Sequence, residues 1–388
     1  MRLLMILPRV EPDQFPAPKV CPHPECGSPH LRPHQIVPKA LVDTHYTQVA
    51  AHRYRCLRCG RTFRVYPQGV DRHALSQRTR GLGIMLYLLG LSYGATSLAL
   101  EALGIPQAKS TIYEAVQEAA ERVPGLKRSA LFAGVRTPAL GADVTSVKCR
   151  GQWLTLGLLV DDVHGAVLSI DMVEGEDAAT LTEWVAPVAE AVGAELLVSD
   201  DADSFKQVAN ALDLQHQVCI SHVQRNTERL IADLWAAVAN DADGSLRGIG
   251  GDVMQARADL LFLQRVVRTR RPEDEEALEA LHLRYAHAPP PAPGEQASVA
   301  YRLRMLTLDR WELWPRLTRY RSWRGPRGEH IDGTNNACER AIGWWVKERY
   351  RTMRGYKREA SALNVSRLII HCGNHLNSGG VNLAQLLA

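Results

Sequence analysis

The sequence lacks the long apolar runs and the cysteine spacing that would place it in a membrane or outside the cell. None of its apolar runs reaches the roughly 18 residues that a membrane-spanning helix needs. The apolar start, MRLLMILPRV, is cut short by Pro8 and Arg9, and no small-residue cleavage site follows, which argues against a signal peptide. The eight cysteines do not form the spaced set of a secreted disulfide framework. We therefore expect a protein of the reducing cytoplasm without membrane contact.

Net charge is small and says little about partners. The 388 residues carry a formal net charge of +4, with a pI near 8.6. This balance permits a polyanionic partner without requiring one. Hydrophobic residues make up 46% of the chain and charged residues 23%, which is typical of a folded protein and excludes a largely disordered one. Because the chain is too long for one ordinary core, we expect several domains.

Four of the cysteines form two close pairs near the N-terminus. Cys21 and Cys26 are separated by four residues, and Cys56 and Cys59 by two. Each short spacing lets two thiolates grip one tetrahedral ion from a turn. The segments HYTQVAAHRYRC and TFRVY alternate like strands around the second pair. Residues 1–70 are therefore predicted to form a zinc ribbon with one structural Zn²⁺, whose binding supplies folding energy to a small core.

The next segment, 71–130, has helical periodicity. Apolar residues recur three and four apart through LGIMLYLLGLSYGATSLALEALGI, with breaks at two glycines. A further helix is predicted in KSTIYEAVQEAAERV, with Ser110 or Thr111 as its N-cap and Glu114 in its first turn. Helix, turn and helix in this order indicate a helix-turn-helix DNA-binding domain, although a plain helical hairpin has the same pattern.

From residue 139 the period changes to that of strands. ALGADVTSVK, WLTLGLLVD and AVLSIDMVE are followed by a helix, the strand ELLVSD, a second helix, the strand QHQVCIS and a helix from His222. The order βββαβαβα predicts an α/β fold with a ribonuclease-H-like core, a mixed five-stranded sheet with helices on its faces. Residues 131–222 are expected to form the first part of this core. An all-helical insertion follows over 223–328, and 329–388 add the second part and the C-terminal helices.

Three acidic residues are candidates for catalysis. Asp143 interrupts an otherwise apolar strand, where a carboxylate costs stability unless it is paired or bound to a metal. Asp200 is expected as the last residue of its strand, with Asp201 as the competing assignment. Adjacent strands would bring both carboxylates to one rim, and Glu339 in TNNACERAI can join them from a helix packed across the sheet edge. Three carboxylates suit a pair of magnesium ions, which prefer oxygen ligands.

Several short motifs together resemble the DDE transposases of bacterial insertion sequences, in the branch related to eukaryotic Mutator elements. They are GADVTS, VSD, C-x2-H-x2-RN and GTNNACERAI, followed by Lys347 and RGYK. The likeness covers residues 139–230 and 330–375, and T-N-N-x-x-E-R is its most specific part. Gly343 departs from the pattern, since such proteins often carry an arginine at that place.

The resemblance implies a DNA transposase whose catalytic residues and metal ligands are Asp143, Asp200 and Glu339. These residues would bind two Mg²⁺ or Mn²⁺ ions for strand cleavage and strand transfer. The implied partners are double-stranded DNA, both the terminal inverted repeats of the element and the target, and further copies of the chain in a homodimer or higher multimer. The implied location is the bacterial cytoplasm, at the nucleoid when DNA is bound.

Further residues are candidates for DNA contact. Cys219 and His222 match the family's C-x2-H pair; packing is favoured over metal binding for them because two ligands do not close a zinc sphere, while a DNA contact of His222 stays open. Residues 321–358 are basic with interleaved aromatic residues, as a DNA track would be. The DNA-contact candidates are Lys109, Ser110, Thr111, Tyr113, His222, Arg225, Arg340, Lys347, Arg351 and Arg354.

Two other functions are compatible with the sequence. A non-catalytic DNA-binding regulator derived from a transposase would use only the ribbon and the helix-turn-helix. A ribonuclease-H-like nuclease, such as a junction resolvase, would cut DNA without joining it. No tyrosine or serine stands out as a nucleophile, so a covalent protein–DNA intermediate is not expected.

Overall fold

The computed structural model describes residues 5–123, 136–241, 243–353, 356–374 and 381–387. The N-terminal part contains four strands: β1 Met5–Ile6, β2 Leu31–Ala40, β3 Gln48–Cys56 and β4 Thr62–Val65. Strands β2, β3 and β4 form an antiparallel sheet in that order. The two strands expected around the second cysteine pair are present as β3 and β4.

The sequence analysis predicts no strand over Leu31–Ala40, the segment that forms β2 and contains Pro33 and Pro38. In the structure β2 is an edge strand, and its register with β3 shifts between Pro33 and Gln35. Proline has no backbone N–H to donate to a ladder, and an edge position or a bulge tolerates that loss. The alternation of apolar and polar residues does not reveal β2, which tolerates proline because it is an edge strand.

Three helices follow the ribbon: α1 Gln77–Leu88, α2 Tyr93–Ala102 and α3 Lys109–Glu121. The expected N-cap of α3 is wrong, since Ala108 holds that position without a side-chain bond, and Ser110 and Thr111 lie in the first turn. Ile105 and Ile112 lie together in a small apolar cluster at this point. Packing, rather than a capping side chain, therefore sets where α3 begins.

The central sheet is mixed and has five strands. Its strands and crossover helices are β5 Ala139–Cys149, β6 Gln152–Asp161, β7 Val167–Val173, α4 Ala178–Val192, β8 Leu196–Ser199, α5 Asp203–Ala211 and β9 Gln215–Val218. The strand order is β7-β6-β5-β8-β9. The β5–β6 and β6–β7 pairs are antiparallel, whereas β5–β8 and β8–β9 are parallel. The expectation of an α/β fold with a mixed five-stranded sheet is confirmed, and α4 runs through Pro187 as one helix.

A group of helices follows β9: α6 Ile220–Asn240, α7 Ser245–Gly248, α8 Val253–Thr269, α9 Asp274–Tyr285, α10 Val299–Leu317 and α11 Arg319–Ser322. Helix α6 begins at Ile220 with Cys219 as its N-cap, so the expected start at His222 is corrected by two residues. The longer helices of this group share one apolar core. Their treatment as a separate insertion, and the other domain limits, stay predictions. Among the described residues, no helix has the length and apolar character needed to cross a membrane.

The C-terminal part returns to the central sheet. It contains α12 Asn336–Ala341, a π-helix Ile342–Lys347, α13 Glu348–Met353, α14 Glu359–Asn374, β10 Val381–Asn382 and α15 Ala384–Leu387. The long basic helix expected after Gly333 is therefore divided by a π-helical turn. The turn expected around Gly355 lies outside the described residues. Strand β10 pairs in parallel with β1, which returns the chain to its start.

One apolar core joins the predicted DNA-binding helices to the central sheet. It contains Ile84 of α1, Val116 of α3, Val147 of β5, Leu368 of α14 and Leu386 of α15. Burial of this apolar surface is the main stabilising term that holds these elements together. Helices α1 and α3 are thus fixed against the sheet by direct packing and by the C-terminal helices.

Gly157 of β6 lies against the indole ring of Trp184 in α4. A Cβ atom at Gly157 would lie 2.6 Å from Trp184 Cζ2 and 2.7 Å from Val173 Cγ2. We expect Gly157→Ala to lower the free energy of unfolding by about 1–3 kcal/mol, the usual cost of overpacking. Gly248→Ala is the control, because nothing lies within 4 Å of a Cβ there. Urea denaturation of both variants tests this, and equal stabilities would contradict it.

Candidate active site

The four ribbon cysteines come together on two turns. Cys21 Sγ lies 3.7 Å from Cys59 Sγ, and Cys26 Sγ lies 3.7 Å from Cys56 Sγ. All four sulfur atoms lie within 4.8 Å of one another. Zn–S bonds of about 2.3 Å in a tetrahedron set sulfur atoms about 3.8 Å apart, so the cluster fits one zinc ion. These separations are too long for disulfide bonds, which are about 2.05 Å.

The thiols of this cluster differ in how readily they ionise. The backbone N–H of Cys59 is the main cause that lowers the pKa of Cys56 to about 6, which favours the thiolate form. Burial raises the pKa of Cys21 to about 12. Four thiolates therefore require a cation among them, and zinc supplies that charge when it is bound.

Two of the three predicted carboxylates lie side by side at one end of the central sheet. Strands β5 and β8 pair in parallel, with Gly141 opposite Val198. Continuing this register by two residues sets Asp143 opposite Asp200. The sequence analysis predicts Asp200 as the last residue of its strand. Strand β8 ends at Ser199, so Asp200 lies one residue beyond it. Both aspartates are half-buried.

Asp201, the competing assignment, makes different contacts. Its carboxylate lies 3.0 Å from Lys206 Nζ and 3.5 Å from Arg310 Nη1. These cations neutralise Asp201 and tie it to α5 and α10. Asp200 instead accepts the backbone N–H of Ala202 at 3.1 Å, and its charge acts on Asp143. The geometry therefore favours Asp200 over Asp201 as the partner of Asp143.

Glu339 approaches the same place from α12, which lies over the face of β5 that carries Asp143. A Cβ atom at Gly141 would lie 3.1 Å from Cys338 Sγ, so helix and strand are in close contact there. Residues 141 and 143 share one face because side chains alternate along a strand. Glu339 is half-buried, and its Oε1 lies 3.7 Å from His222 Nε2. The structure thus brings Asp143, Asp200 and Glu339 into one region.

Asn335 attaches α12 to the sheet, a role that the sequence analysis did not assign. Its side chain is buried, and its Nδ2 donates to the carbonyl oxygen of Ala142 at 2.9 Å. Its backbone N–H donates to Cys219 Sγ at 3.2 Å. These two bonds connect the start of α12, and so Glu339, to β5 and to α6. Asn335 belongs to the T-N-N stretch, whose sequence alone does not indicate this contact.

The three carboxylates repel one another. Burial raises the pKa of Asp143 to about 6, and the charges of Asp200 and Glu339 add to the shift while His222 opposes it. A divalent cation between them would remove this repulsion. The donors are all carboxylate oxygens, which Mg²⁺ and Mn²⁺ prefer over nitrogen or sulfur. By donor chemistry, these residues suit such an ion.

A chain of hydrogen bonds supports Asp200 from the far side of the sheet edge. Arg316 Nη1 donates to His216 Nδ1 at 2.7 Å, so Nδ1 is unprotonated and Nε2 carries the ring proton. His216 Nε2 then donates to Ser199 Oγ at 2.9 Å, and Ser199 Oγ donates to the carbonyl oxygen of Asp200 at 3.0 Å. Burial, followed by the charge of Arg316, lowers the pKa of His216 to about 3. The sequence analysis found none of these supporting residues.

Cys219 and His222 lie at the start of α6, beside Glu339. Burial opposes ionisation of Cys219, but the neighbouring His222 imidazole and the Asn335 backbone N–H outweigh burial and lower the pKa of the thiol. The same Cys219–His222 contact raises the pKa of His222. The ligand atoms of Cys219, His222 and Glu339 lie within 4.8 Å of one another. The pair is therefore part of a three-residue cluster, which its sequence spacing does not reveal.

The DNA-contact candidates divide into exposed and partly internal residues. The exposed ones are Lys109, Ser110, Arg225, Arg340, Lys347 and Arg351. Thr111, Tyr113 and His222 are half-buried. Tyr113 is engaged inside the protein, with its hydroxyl 3.1 Å from Ser361 Oγ. Arg354 lies outside the described residues.

The basic C-terminal stretch is not one continuous surface. Arg349 is buried and stacks on Tyr87, with its guanidinium carbon 4.0 Å from the ring centroid. Trp323 and Tyr356 are also buried, while Trp344 is exposed. The prediction that the basic and aromatic residues of this stretch form a DNA track is therefore wrong for Arg349, Trp323 and Tyr356. Their side chains pack in the interior.

Comparison with known proteins gives a distant structural similarity and no sequence match. No protein-family model and no curated protein matches the sequence. Among solved structures, the chain is similar to the catalytic core domain of HTLV-2 integrase in complex with magnesium, in a trimeric form. The sequences are 19% identical, and the match covers 28% of this chain and 75% of the integrase chain with a TM-score of 0.20. A similarity of this size supports no conclusion about function.

The neutral, buried His216 makes stability depend on pH. Its folded pKa of about 3 lies below the ordinary value of 6.5, so the unfolded chain takes up the proton first as pH falls. Stability is therefore lost between pH 6.5 and pH 3. We expect His216→Gln to lose less free energy of unfolding than the wild type over this range. His287→Gln, at an exposed position, is the control. Urea denaturation at several pH values tests this, and parallel curves for wild type and His216→Gln would refute it.

The ribbon should depend on its metal. Cys56→Ser removes a buried thiolate, and we expect the purified variant to lose at least about 10-fold in zinc affinity, because even partners outside the ligand set can contribute that much. Residues 21–65 should then become sensitive to proteolysis. Cys149→Ser, a buried cysteine of β5 outside the cluster, should keep its zinc. Zinc content and limited proteolysis measure both effects. Full zinc retention by Cys56→Ser would rule out the four-cysteine site.

Proposed function

We propose that this chain is a DDE-type DNA transposase that cleaves the ends of its element and transfers the strand to target DNA. The observation that carries the proposal is the meeting of Asp143, Asp200 and Glu339 at one end of the mixed sheet. Asp143 and Asp200 are aligned by the β5–β8 register, and α12 brings Glu339 over the same strand. The βββαβαβ order, with β5 central, also supports a ribonuclease-H-like core.

The three carboxylates are proposed to hold two Mg²⁺ or Mn²⁺ ions. When bound, such ions would supply Lewis-acid stabilisation for a phosphoryl displacement. Asp143 and Asp200 would contribute rigid ligands because each is fixed by the sheet or its rim. Glu339 would contribute the third from α12, which Asn335 holds in place. The positive charge of a bound ion would favour the carboxylate form of Asp143, which burial opposes.

Two cationic side chains lie next to Glu339 and suit a DNA phosphate. His222 Nε2 is 3.7 Å and Arg225 Nη2 is 3.8 Å from Glu339 Oε1. Both separations exceed a hydrogen bond, so each side chain has donors left for another acceptor. Arg225 is 63% exposed and can turn toward a phosphate without leaving the site. We assign these residues to positioning the scissile strand.

DNA is proposed to reach this site along exposed basic residues on both sides of it. Lys109 and Ser110 mark the start of α3, whose backbone N–H groups suit a phosphate. Arg340 and Lys347 are exposed on α12 and the π-helix that follows. Because α3 shares a core with the sheet, DNA bound at α3 would have a fixed orientation relative to the carboxylates. Action as a dimer or higher multimer on paired element ends is part of the same proposal.

Removal of any one triad carboxylate should stop the chemistry without stopping DNA binding. We expect Asp143→Ala, Asp200→Ala and Glu339→Ala each to reduce Mg²⁺-dependent strand cleavage at least about 100-fold, because loss of even an outer partner of a metal ligand can cost that much. Asp203→Ala is the matched control, since its side chain is 86% exposed and close to Asp200 in sequence. Substrates are the inverted repeats found beside the gene. Cleavage by any triad variant at the Asp203→Ala rate would remove that residue from the site.

The product of the reaction separates a transposase from a nuclease or a regulator. The proposed function predicts that cleaved ends with a free 3′-hydroxyl become covalently joined to a second DNA molecule. A strand-transfer assay with labelled ends and a supercoiled target detects the joined product. Cleavage without joining would instead identify a nuclease, and binding without cleavage would identify a regulator.

A further inference from the structure

We infer that Cys219, His222 and Glu339 form a binding site for one thiophilic divalent cation of the zinc type, separate from the ribbon. The inference goes beyond the proposed function, which assigns Glu339 to magnesium and His222 to the DNA strand and gives Cys219 no role. The thiol, a ring nitrogen and a carboxylate oxygen lie within 4.8 Å of one another. Sulfur, imidazole nitrogen and carboxylate oxygen are together a zinc donor set, whereas magnesium takes oxygen.

Cys219 Sγ accepts one backbone N–H, whereas His222 and Glu339 each have one buried polar atom without a hydrogen bond in the described part of the chain. Within the described part of the chain, His222 Nδ1 and Glu339 Oε1 are buried atoms that form no hydrogen bond. The cations nearest to Glu339 Oε1 are His222 itself and Arg225, at 3.7 and 3.8 Å. Buried polar atoms without a partner are uncommon, because each costs desolvation free energy. A bound cation would satisfy both atoms at once.

The backbone around the site is rigid and already orients the thiol. Cys219 is fully buried at the N-cap of α6, and His222 follows in the first turn of the same helix. The backbone N–H of Asn335 donates to Cys219 Sγ at 3.2 Å, as outer partners of zinc thiolates do. Three protein ligands leave a fourth position for water or another ligand.

The consequence concerns the proposed active site. If Glu339 also holds magnesium, a zinc-type ion at Cys219 and His222 takes that carboxylate away from Asp143 and Asp200. The two kinds of cation would then exclude each other, and the thiophilic ion would act as an inhibitor. This consequence rests on the proposed function, whereas the binding site itself does not.

Cobalt substitution tests the site without any measurement of activity. The full-length protein, with its ribbon filled by one equivalent of Zn²⁺, is titrated with Co²⁺ while the sulfur-to-cobalt charge-transfer band is recorded. We expect the wild type and the matched control Cys149→Ser to bind one further equivalent with such a band. Cys219→Ser should remove the band, and His222→Ala and Glu339→Gln should weaken Co²⁺ binding at least about 10-fold.

Signal from the ribbon is common to all these proteins, so the difference between variants decides the outcome. Identical titrations of wild type and Cys219→Ser would overturn the inference, as would a wild type that binds no further Co²⁺. Circular dichroism checks that Cys219→Ser is folded, and His222→Ala tests the same site if it is not. Zn²⁺ inhibition of cleavage, lost in Cys219→Ser, examines the consequence separately. Cleavage that is absent in the wild type would contradict the proposed function and leave the binding result intact.

Discussion

Burial of the Asp143 carboxyl group in the central sheet, close to two further carboxylates, is the constraint on which the rest of this site depends. Asp143 is raised to a pKa of about 6 by burial together with the charges of Asp200 and Glu339. Such a group is unstable in a strand unless rigid neighbours hold it and a cation compensates it. The surrounding hydrogen bonds hold the carboxylates in place, and Arg225 places a positive charge close to Glu339. If these side chains were mobile, the three carboxylates would move apart.

Each of the three carboxylates is held in place by a different element of the fold. Asp143 is held in the ladder of β5, between β6 and β8. Asp200 is held through its own carbonyl by the bonds from Arg316 through His216 and Ser199, so the helix α10 supports it from outside the sheet. Glu339 is held by the attachment of α12 at Asn335. Each support comes from a distant part of the sequence, so the geometry depends on the whole fold.

The strands, the unusual position of Asp143 and the pairing of the ribbon cysteines could be predicted from the sequence because their signals are local, whereas Glu339 followed from the resemblance. The catalytic role of the three carboxylates stays a prediction. A carboxylate in an apolar strand and two cysteines in a turn can be recognised within a few residues. The supports could not be predicted in this way. His216 and Arg316 are a hundred residues apart, and nothing local marks either as a partner of Asp200. Two departures from the sequence predictions have a related cause. An edge position tolerates the prolines of β2, and packing, rather than a capping side chain, sets the start of α3.

The position of Glu339 connects the chemistry to the start of α6. Asn335 donates to both β5 and Cys219, so α12 cannot move relative to the sheet without disturbing the Cys219–His222 pair. Of the three carboxylates, Glu339 is also the one on a short helix, and its Oε1 lies close to both His222 and Arg225. Asp143 and Asp200 are fixed by the sheet, so any control of the site has to act through Glu339. The cluster of Cys219, His222 and Glu339 lies where such control would be effective.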